Sequence, residues 1–346
     1  MSLFHQLHSA PSRLIRTADQ QYLYFGGTSY LGISQDEEFK ELFLEGIAQY
    51  GSNIGTSRGN NVQLDIFGIA ETEAARRFDS PSALTVSSGY LAAQLVVREL
   101  SAFGKMIYAP DTHPALWLSG KPESSGKFSD WVSNTLIQIE ESQERRFVIV
   151  SDALNTLVPQ RYDFSAFDRI GADKEIILVV DDSHGLGVVG EGGRGVYSSL
   201  PFNAQLRPVV VGSMAKGLGV DGGLILADQD LIDRFRQSPI FRGASPASPA
   251  GLYAFVEGRG IYARQWATLM RNMAFMESNL PDSIQYTKGF PAYLAENPNL
   301  YERLFAKGII ISSFPYPQET DPLLNRMVVS SWHHQDDLQF LINQLS

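Results

Sequence analysis

The chain of 346 residues contains no cysteine. This absence excludes disulfide bridges, zinc sites with thiolate ligands, iron–sulfur clusters and cysteine nucleophiles. It favours a cytoplasmic protein only weakly, because a secreted protein of this size can also lack disulfides. We predict no metal site.

Long apolar runs are also missing. The first residues read Met-Ser-Leu-Phe-His-Gln-Leu-His, without the apolar stretch of a signal peptide. No later segment has the length and hydrophobicity of a membrane span. We therefore expect a protein of the cytoplasm with no membrane partner.

Positive charge is in short supply. The chain has 28 lysines and arginines against 38 acidic residues, so its net charge is -10 at pH 7 and its pI is near 5.1. An acidic surface repels phosphate backbones, and we expect no nucleic-acid partner. A small anionic ligand remains compatible, because a single pocket can be locally positive.

What the chain does contain is an alternation of short apolar runs with helical periodicity. The runs at 147–150 and 176–180 are uninterrupted, which is typical of strands buried on both faces. Further strands are predicted at 22–25, 83–86, 106–108, 209–211 and 224–226, and helices at 36–50, 63–78 and 90–100. The alternation predicts an α/β fold with a mostly parallel sheet and helices on both sides.

The proline- and serine-rich segment 238–249 marks a boundary along the chain. A long helix is predicted after it, over about 250–278, and then a mixed α+β region. We expect an N-terminal segment 1–45, a large domain 46–240 and a small C-terminal domain 241–346.

Acidic and basic side chains follow one apolar strand directly. The segment 179–185 reads Val-Val-Asp-Asp-Ser-His-Gly, so Asp181, Asp182 and His184 come at the end of a buried strand. Ligands of open parallel sheets bind beyond the carboxyl ends of the strands. One aspartate there could simply cap a turn, but the whole group favours a functional site.

The glycines at 185, 187 and 190 have the spacing of a dinucleotide-binding motif. In that motif the first glycine follows the strand at once and opens a helix. Here Asp-Asp-Ser-His intervenes, Glu-Gly-Gly-Arg-Gly follows, and no acid stands about 20 residues further on. We interpret the segment as a flexible loop.

A hydrolytic triad is a second alternative for the serines, aspartates and histidines. It needs an elbow such as Gly-x-Ser-x-Gly between a strand and a helix, and the one match, Gly55-Thr-Ser-Arg-Gly59, lies in the glycine- and asparagine-rich segment 51–61, which we interpret as a loop. Ser213, in Val-Gly-Ser-Met-Ala-Lys-Gly, lacks the second glycine. This alternative ranks low.

A lysine follows the next apolar strand. Lys216 stands three residues after Ser213 and directly before a glycine. Most lysines extend to the surface, but burial beyond a strand lowers the pKa of an amine, and a neutral amine forms imines. We predict that Lys216 is such an amine.

Two weaker signals complete the group. Ser88, Gly89 and Tyr90 stand where a strand passes into a helix, whose N-terminus can bind phosphate. His113 follows the strand at 106–108 and could face the same crevice. A phosphate cradle, an aromatic cap, an acid and an amine are together what pyridoxal 5'-phosphate (PLP) requires.

The sequence resembles the α-oxoamine synthases, a family of fold-type-I PLP-dependent enzymes, from about residue 22 to the C-terminus. The similarity is specific at Ser29-Tyr-Leu-Gly-Ile-Ser34, at Ser88-Gly-Tyr90, at Asp181-Asp-Ser-His-Gly-Leu-Gly-Val-Val-Gly-Glu-Gly-Gly-Arg-Gly195 and at Lys216-Gly-Leu-Gly-Val220. It implies the aspartate aminotransferase-like fold, in which the large domain binds PLP.

The resemblance implies roles for matching residues around the cofactor ring. Lys216 would hold PLP covalently as an aldimine. Asp181 would pair with the pyridine nitrogen, His184 would contact the ring hydroxyl oxygen, and His113 would stack on the ring. These four residues are the expected catalytic group.

Other matching residues would bind the ends of the cofactor and substrate. Backbone groups at Gly89 and Tyr90, beside Ser88, would hold the phosphate together with Ser213. Ser245 would reach the phosphate across a dimer interface. Thr156, or alternatively Asn155, would replace a family serine on the ring hydroxyl. Arg326 would bind an amino-acid carboxylate, which suits its planar fork.

The implied activity is a decarboxylative condensation of an amino acid, L-alanine, with an acyl-CoA, pimeloyl thioester, as in biotin biosynthesis. The expected partners are these two small molecules and a second copy of the chain in a homodimer. Alternatives are an aminotransferase, aldolase or lyase on the same fold, because fold does not fix reaction, or a PLP-binding homologue without catalysis.

The sequence departs from the family pattern in two places. Asn61 and Val62 stand where a Ser-Gly pair is usual, and Phe67 replaces a histidine, whereas Glu71 fits. The segment 151–159 reads Ser-Asp-Ala-Leu-Asn-Thr-Leu-Val-Pro in place of the family's Thr-Glu-Gly-x-Phe-Ser-Met-Asp-Gly. Both places are expected near the substrate and the partner subunit, so they bear on the acyl donor and on the use of CoA.

Overall fold

The computed structural model describes residues 7–17, 20–315 and 323–345. Its α-helices are α1 Glu37–Tyr50, α2 Ile66–Arg77, α3 Gly89–Leu100, α4 Phe128–Glu141, α5 Gln229–Gln237, α6 Pro239–Gly243, α7 Pro249–Glu257, α8 Arg259–Glu277, α9 Leu300–Phe305 and α10 Gln335–Ile342. Its strands are β1 Leu14–Arg16, β2 Gln21–Phe25, β3 Ser82–Val86, β4 Lys105–Tyr108, β5 Arg146–Asp152, β6 Leu154–Asn155, β7 Gln160–Arg161, β8 Glu175–Asp181, β9 Leu206–Ser213, β10 Gly223–Ala227, β11 Ile284–Tyr286, β12 Ala292–Ala295, β13 Ile309–Pro315 and β14 Leu323–Val328.

The fold has two six-stranded sheets. The one with the longer strands, called the large sheet below, has the strand order β3-β10-β9-β8-β5-β4. The four strands β4, β5, β8 and β9 are parallel, while β10 runs antiparallel to both β3 and β9. The predicted α/β fold with a mostly parallel sheet is therefore confirmed. The carboxyl ends of the four parallel strands share one edge, and this edge positions the site.

The sheet is buried on both faces, as its uninterrupted apolar runs predict. Phe147 and Ile149 belong to one apolar cluster, whereas Val148 and Val150 belong to another on the opposite face. The same alternation recurs along β8 and β9, because successive side chains of a strand point to opposite faces. Helix α3 packs on β9 and β10 from one side.

The second sheet has the order β1-β2-β13-β14-β12-β11. The sheet is mixed, because β2 and β13 are parallel to each other while all the other neighbouring strands of the sheet are antiparallel. Strands from both ends of the chain thus build one sheet, and the Arg13–Asp337 ion pair, at 2.8 Å, joins the same two ends. The predicted domain boundaries at residues 45 and 240 stay a prediction.

The single long helix predicted over 250–278 is wrong. Two helices, α7 and α8, replace it and meet at Gly258, which has φ -74° and ψ 13°. A side chain at this position would lie 2.7 Å from the Ala254 carbonyl oxygen and 3.2 Å from the Phe39 ring. The close approach of Phe39 is a tertiary contact that helical periodicity does not report.

The segment after β8 is a loop, as predicted, but it is packed rather than flexible. Leu186, Val188 and Val189 are buried. Asp182 accepts a hydrogen bond from the Val196 amide at 2.9 Å and so ties the end of the loop to its start. In the described part of the chain, no helix is long and apolar enough to cross a membrane.

Candidate active site

A cleft of about 530 Å³ opens at the carboxyl ends of β4, β5, β8 and β9. Each of these strands, or the loop that follows it, contributes polar side chains, because the four parallel strands end at the same edge. Of the residues predicted from the sequence, the cleft is lined by Gly89, Tyr90, His113, Asn155, Thr156, Asp181, His184, Ser213 and Lys216.

Lys216 follows β9 and lies inside the cleft. Its Nζ is 2.9 Å from Nε2 of His184, and the Nδ1 of the same imidazole is 2.7 Å from the hydroxyl of Tyr30. Burial lowers the pKa of Lys216; Asp181 and Asp152 oppose this shift, while the charge of Arg326 adds to it. The lysine is thus shifted toward the neutral amine that a nucleophile or a base requires.

The two neighbouring aspartates after β8 serve opposite sides of the strand. Asp181 lines the cleft, and its Oδ1 accepts a hydrogen bond from the Ser183 amide at 2.8 Å. Asp182 faces the glycine-rich loop, and a Cβ at Gly185 would lie only 2.0 Å from its Oδ1. Burial raises the pKa of Asp182 to about 7. Of the two, Asp181 belongs to the site, and Asp182 organises the loop.

The N-terminus of α3 meets the end of β9 at one end of the cleft. The Ser88 hydroxyl accepts a hydrogen bond from the Leu91 amide at 3.1 Å and caps the helix, so it does not line the cleft. Gly89 approaches Ser213 so closely that a Cβ would lie 2.7 Å from the Ser213 Cα. Free backbone N–H groups beside a serine form a cradle suited to phosphate.

His113 and Asp152 approach the cleft from the ends of β4 and β5. The His113 side chain is exposed at the cleft, and its backbone N–H donates to Asp152 Oδ2 at 2.9 Å. Burial, and then the nearby charge of Asp181, raises the pKa of Asp152 well above its usual range. The sequence analysis missed Asp152, although its position at the end of an apolar strand is the signal that singled out Asp181.

Arg326 belongs to β14 in the second sheet and is 7% exposed. Its Nη1 donates to the Thr156 carbonyl oxygen at 3.0 Å, while its buried Nε has no hydrogen-bond partner. None of the ion pairs between described residues includes it. A buried guanidinium without a carboxylate partner is a hydrogen-bond donor that can bind an anion.

The hairpin of β6 and β7 holds both predicted alternatives, Asn155 and Thr156, at the cleft. The Asn155 side-chain oxygen accepts from the amides of Leu157 and Val158, at 2.9 and 3.1 Å, and closes the turn. Thr156 lines the cleft with no such structural task. The Asn155 side-chain oxygen is therefore already used within the turn, while the Thr156 hydroxyl has no such use, and the contact of either residue with a bound ring stays a prediction.

Comparisons with known proteins give one consistent family. The model for aminotransferase class I and II matches residues 157–257, which include Asp181, His184, Ser213 and Lys216. A curated relative from Petrotoga mobilis, named 8-amino-7-oxononanoate synthase, is 25% identical over 98% of this chain and 91% of its own length. Two further curated relatives, from Methylococcus capsulatus and Thermosipho melanesiensis, carry the same name at 25% and 24% identity.

Solved structures agree on the fold. A serine palmitoyltransferase from Sphingomonas wittichii superposes with a TM-score of 0.83 at 16% identity, covering 100% of this chain and 92% of the other. A structure of SPT, the abbreviation of serine palmitoyltransferase, with a PLP internal aldimine superposes with a TM-score of 0.82 at 17% identity. The match covers 98% of this chain and 90% of the other. Along nearly its whole length the chain is similar to α-oxoamine synthases. It has the fold of fold-type-I PLP enzymes, and the predictions of this family, of a PLP-dependent acyltransferase and of PLP as cofactor are confirmed.

The residues of this α-oxoamine synthase homologue fit PLP. The cleft offers a buried amine at Lys216, a carboxylate at Asp181 and a helix N-terminus at Gly89 that a Cβ would fill. These are the groups that a Schiff base, a pyridine nitrogen and a phosphate require. All three groups line the same cleft, so one cofactor molecule can contact each of them.

Three predicted positions lie outside the lining of this cleft. Ser88 is used as the cap of α3, and Arg326 reaches the cleft edge through Thr156. Ser245 is exposed in the segment between α6 and α7. A single chain does not bring Ser245 to the phosphate end.

Of the two departures from the α-oxoamine synthase pattern, the segment 151–159 contributes to the lining of the cleft, whereas the departure at residues 61–67 changes only its surroundings. Phe67, in place of a histidine, is buried under the guanidinium of Arg58 at 4.4 Å. Glu71 accepts hydrogen bonds from Arg58 and Arg236 and from the Thr85 amide. The position therefore holds a cation–π contact that stabilises an ion-pair cluster.

Proposed function

We propose that the protein catalyses a PLP-dependent decarboxylative condensation of an amino acid with an acyl thioester. One observation carries this proposal: a buried amine, Lys216, lines the cleft, and a buried guanidinium without a carboxylate partner, Arg326, lies at its edge, where it donates to the Thr156 carbonyl. The amine suits covalent and acid–base work, and the guanidinium suits a carboxylate.

Lys216, Asp181, His184 and Ser213, with the backbone at Gly89, would hold PLP. When bound, PLP supplies an electron sink for negative charge on the α-carbon of the substrate. The Asp181 carboxylate, fixed by the Ser183 amide, would keep a proton on the pyridine nitrogen. His113 and Thr156 would complete the contacts to the ring.

Lys216 would move protons once an amino acid is bound. Its amine, shifted toward neutrality by burial, accepts the α-proton at Nζ and returns it later in the cycle. The imidazole of His184, 2.9 Å away, orients that nitrogen. Base and nucleophile are thus one residue acting at different steps.

Arg326 would fix the orientation of the amino acid. A carboxylate paired with its fork lies between the second sheet and the Thr156 hairpin. In the overall reaction a bond forms between the α-carbon and the thioester carbonyl carbon, the thiol leaves, and the carboxylate carbon leaves as carbon dioxide. The carboxylate that Arg326 orients is the group that is lost.

The relatives support two candidate pairs of substrates. Their name, 8-amino-7-oxononanoate synthase, supports L-alanine and a pimeloyl thioester. A second candidate, L-serine with a palmitoyl thioester, is supported by the structural similarity, with a TM-score of 0.83 to serine palmitoyltransferase against 0.68 to an 8-amino-7-oxononanoate synthase from Francisella tularensis.

We propose further that the chain is a cytoplasmic homodimer with the site at the subunit interface. Ser245, exposed and outside the cleft of its own chain, would then reach the phosphate in the other subunit. The exposed apolar side chains of Val62, Ile69 and Tyr90 support an interface on this side of the molecule.

An absorbance spectrum tests the cofactor proposal directly. We expect a band at about 410–430 nm that borohydride bleaches and that Lys216→Ala lacks. Amino acids labelled at the carboxyl carbon are then paired with pimeloyl-CoA or palmitoyl-CoA. Release of labelled carbon dioxide that requires the acyl-CoA supports the condensation. Turnover without an acyl-CoA would indicate a lyase, an aldolase or an aminotransferase instead.

A further inference from the structure

Tyr30 is a buried residue that the reaction described above does not use. It is 0% exposed and follows β2 in the glycine-rich turn before α1. Its backbone carbonyl accepts from the Ser331 amide at 2.9 Å, and its ring packs edge-on against Phe290 with centroids 5.7 Å apart. The phenol is thus held rigidly, with its hydroxyl 2.7 Å from Nδ1 of His184.

The imidazole of His184 forms hydrogen bonds at both nitrogens, to Tyr30 at Nδ1 and to Lys216 at Nε2. Burial, and then the charge of Lys216, lowers the pKa of His184 well below its usual range, so the ring is neutral. A neutral imidazole has one donor and one acceptor. The two hydrogen bonds must therefore run in the same direction along the chain Tyr30–His184–Lys216.

Two directions are conceivable, and Tyr30 decides between them. If Nδ1–H donated to Tyr30, the phenolic proton would have no acceptor, because His184 is the only hydrogen-bond partner of that hydroxyl among the described residues. A buried hydroxyl proton without an acceptor costs free energy. Burial also raises the pKa of Tyr30, so the phenol keeps its proton and donates it.

We propose that Tyr30 is a positioning residue that fixes His184 as the Nε2–H tautomer. His184 then presents a hydrogen-bond donor to the cleft at all times. When the Nε2–H of His184 donates to Lys216, it needs a lone pair on Nζ as the acceptor. This hydrogen bond therefore favours the free amine of Lys216 over the ammonium ion. Tyr30 acts only through His184 and touches no reacting atom.

The charged groups around this chain are otherwise fixed by the fold. Asp181, Asp152 and Arg326 act on Lys216, and Lys216, Arg326 and His113 act on His184. Tyr30→Phe removes one hydroxyl and leaves every one of these charges in place. In the variant the His184 ring is free to accept at Nε2, and an ammonium at Lys216 gains an acceptor.

The test uses the full-length chain freed of PLP, so its outcome is independent of the proposed condensation. Nitrogen-15 NMR of labelled histidine reports the tautomer, with His184 assigned from the His184→Gln variant among the six histidines. We expect the Nε2–H form in the wild type. An Nδ1–H form there overturns the proposal without any variant.

A second measurement follows Lys216 itself, by the pH dependence of its acetylation and peptide mass spectrometry. We expect Tyr30→Phe to raise the apparent pKa of Lys216 by roughly one unit, a tenfold change. Tyr293→Phe is the matched control, since Tyr293 is also 0% exposed and its hydroxyl has no hydrogen-bond partner. An unchanged Lys216 profile in a folded Tyr30→Phe protein overturns the proposal.

Discussion

At the scale of single residues, the cleft combines groups whose pKa values are changed mainly by burial and not by ion pairing. Lys216 and His184 both have lowered pKa values for this reason, and Arg326 has no carboxylate partner in the described chain. Arg326 therefore has an unmet interaction, and a substrate or cofactor of complementary charge supplies it.

Arg326→Lys should weaken binding of the amino acid. The ammonium keeps the charge but loses the planar fork and the contact to Thr156, so one of two carboxylate hydrogen bonds is lost. We expect kcat/KM for the amino acid to fall by about 10- to 100-fold, with PLP binding unchanged. Steady-state kinetics and PLP titration measure the two effects, and exposed Arg169→Lys is the control. Equal loss of PLP affinity would contradict the assigned role.

Asp182 makes stability depend on pH. Burial raises its pKa to about 7, above the value of an unfolded chain near 4, so the folded protein holds the proton more tightly. This contribution is complete below about pH 4 and is lost as the pH rises to about 7, by up to about 4 kcal/mol. Asp182→Asn should remove this loss.

The check is a series of urea unfolding curves between pH 4 and 8. The free energy of unfolding of Asp182→Asn relative to the wild type should rise across this range and level off above about pH 7. Exposed Asp130→Asn should show no such trend. A pH-independent difference for Asp182→Asn would mean that the carboxyl group is already ionised in the folded chain.

At the scale of elements, close backbone approaches at strand ends shape the cleft. Gly89 at the start of α3 lies against Ser213 at the end of β9, so the helix N-terminus reaches the phosphate end only because no side chain intervenes. The parallel strands then carry Asp152 and Asp181 in register at the same edge.

Gly89→Ala should move this helix start away from β9. A Cβ would lie 2.7 Å from the Ser213 Cα, and overpacking of this kind costs about 1–3 kcal/mol. We expect the Kd of PLP to rise roughly 10-fold or more. Gly68→Ala is the matched control, because it has open space inside α2 and should stabilise the chain by about 0.5–1 kcal/mol. Isothermal titration and thermal unfolding measure both, and an unaltered Kd in Gly89→Ala would exclude this helix end from phosphate binding.

At the scale of the whole molecule, the cleft joins two sheets that are built from distant parts of the sequence. Lys216 follows a strand of the large sheet, and Arg326 belongs to the second. The second sheet in turn includes the N-terminal strands β1 and β2. The cleft therefore depends on contacts between elements that are far apart along the chain.

Val62→Asp should convert the proposed homodimer to monomers. Val62 is 71% exposed, and a charge buried in an interface is costly. Sedimentation should give twice 38.3 kDa for the wild type and 38.3 kDa for the variant, with weaker PLP binding. Phe202→Asp, at a side chain 65% exposed, is the control. A wild-type monomer that binds PLP and turns over would refute the interface site.

The sequence by itself determined the fold class and the main members of the site. Uninterrupted apolar runs predict strands buried on both faces, and Asp181 and Lys216 stand directly after two of them. This inference works because it is local: a residue just past a strand of a parallel sheet must lie at the edge where ligands bind.

Only the tertiary structure decided what those residues touch. The split of the predicted long helix at Gly258, the role of Asp152 and the hydrogen bond between Tyr30 and His184 all depend on contacts between distant segments. Tyr30 and His184 are 154 positions apart in the chain. Periodicity reports only which face of an element is buried, whereas the partner of a buried hydroxyl depends on how the two sheets and their connecting turns pack together.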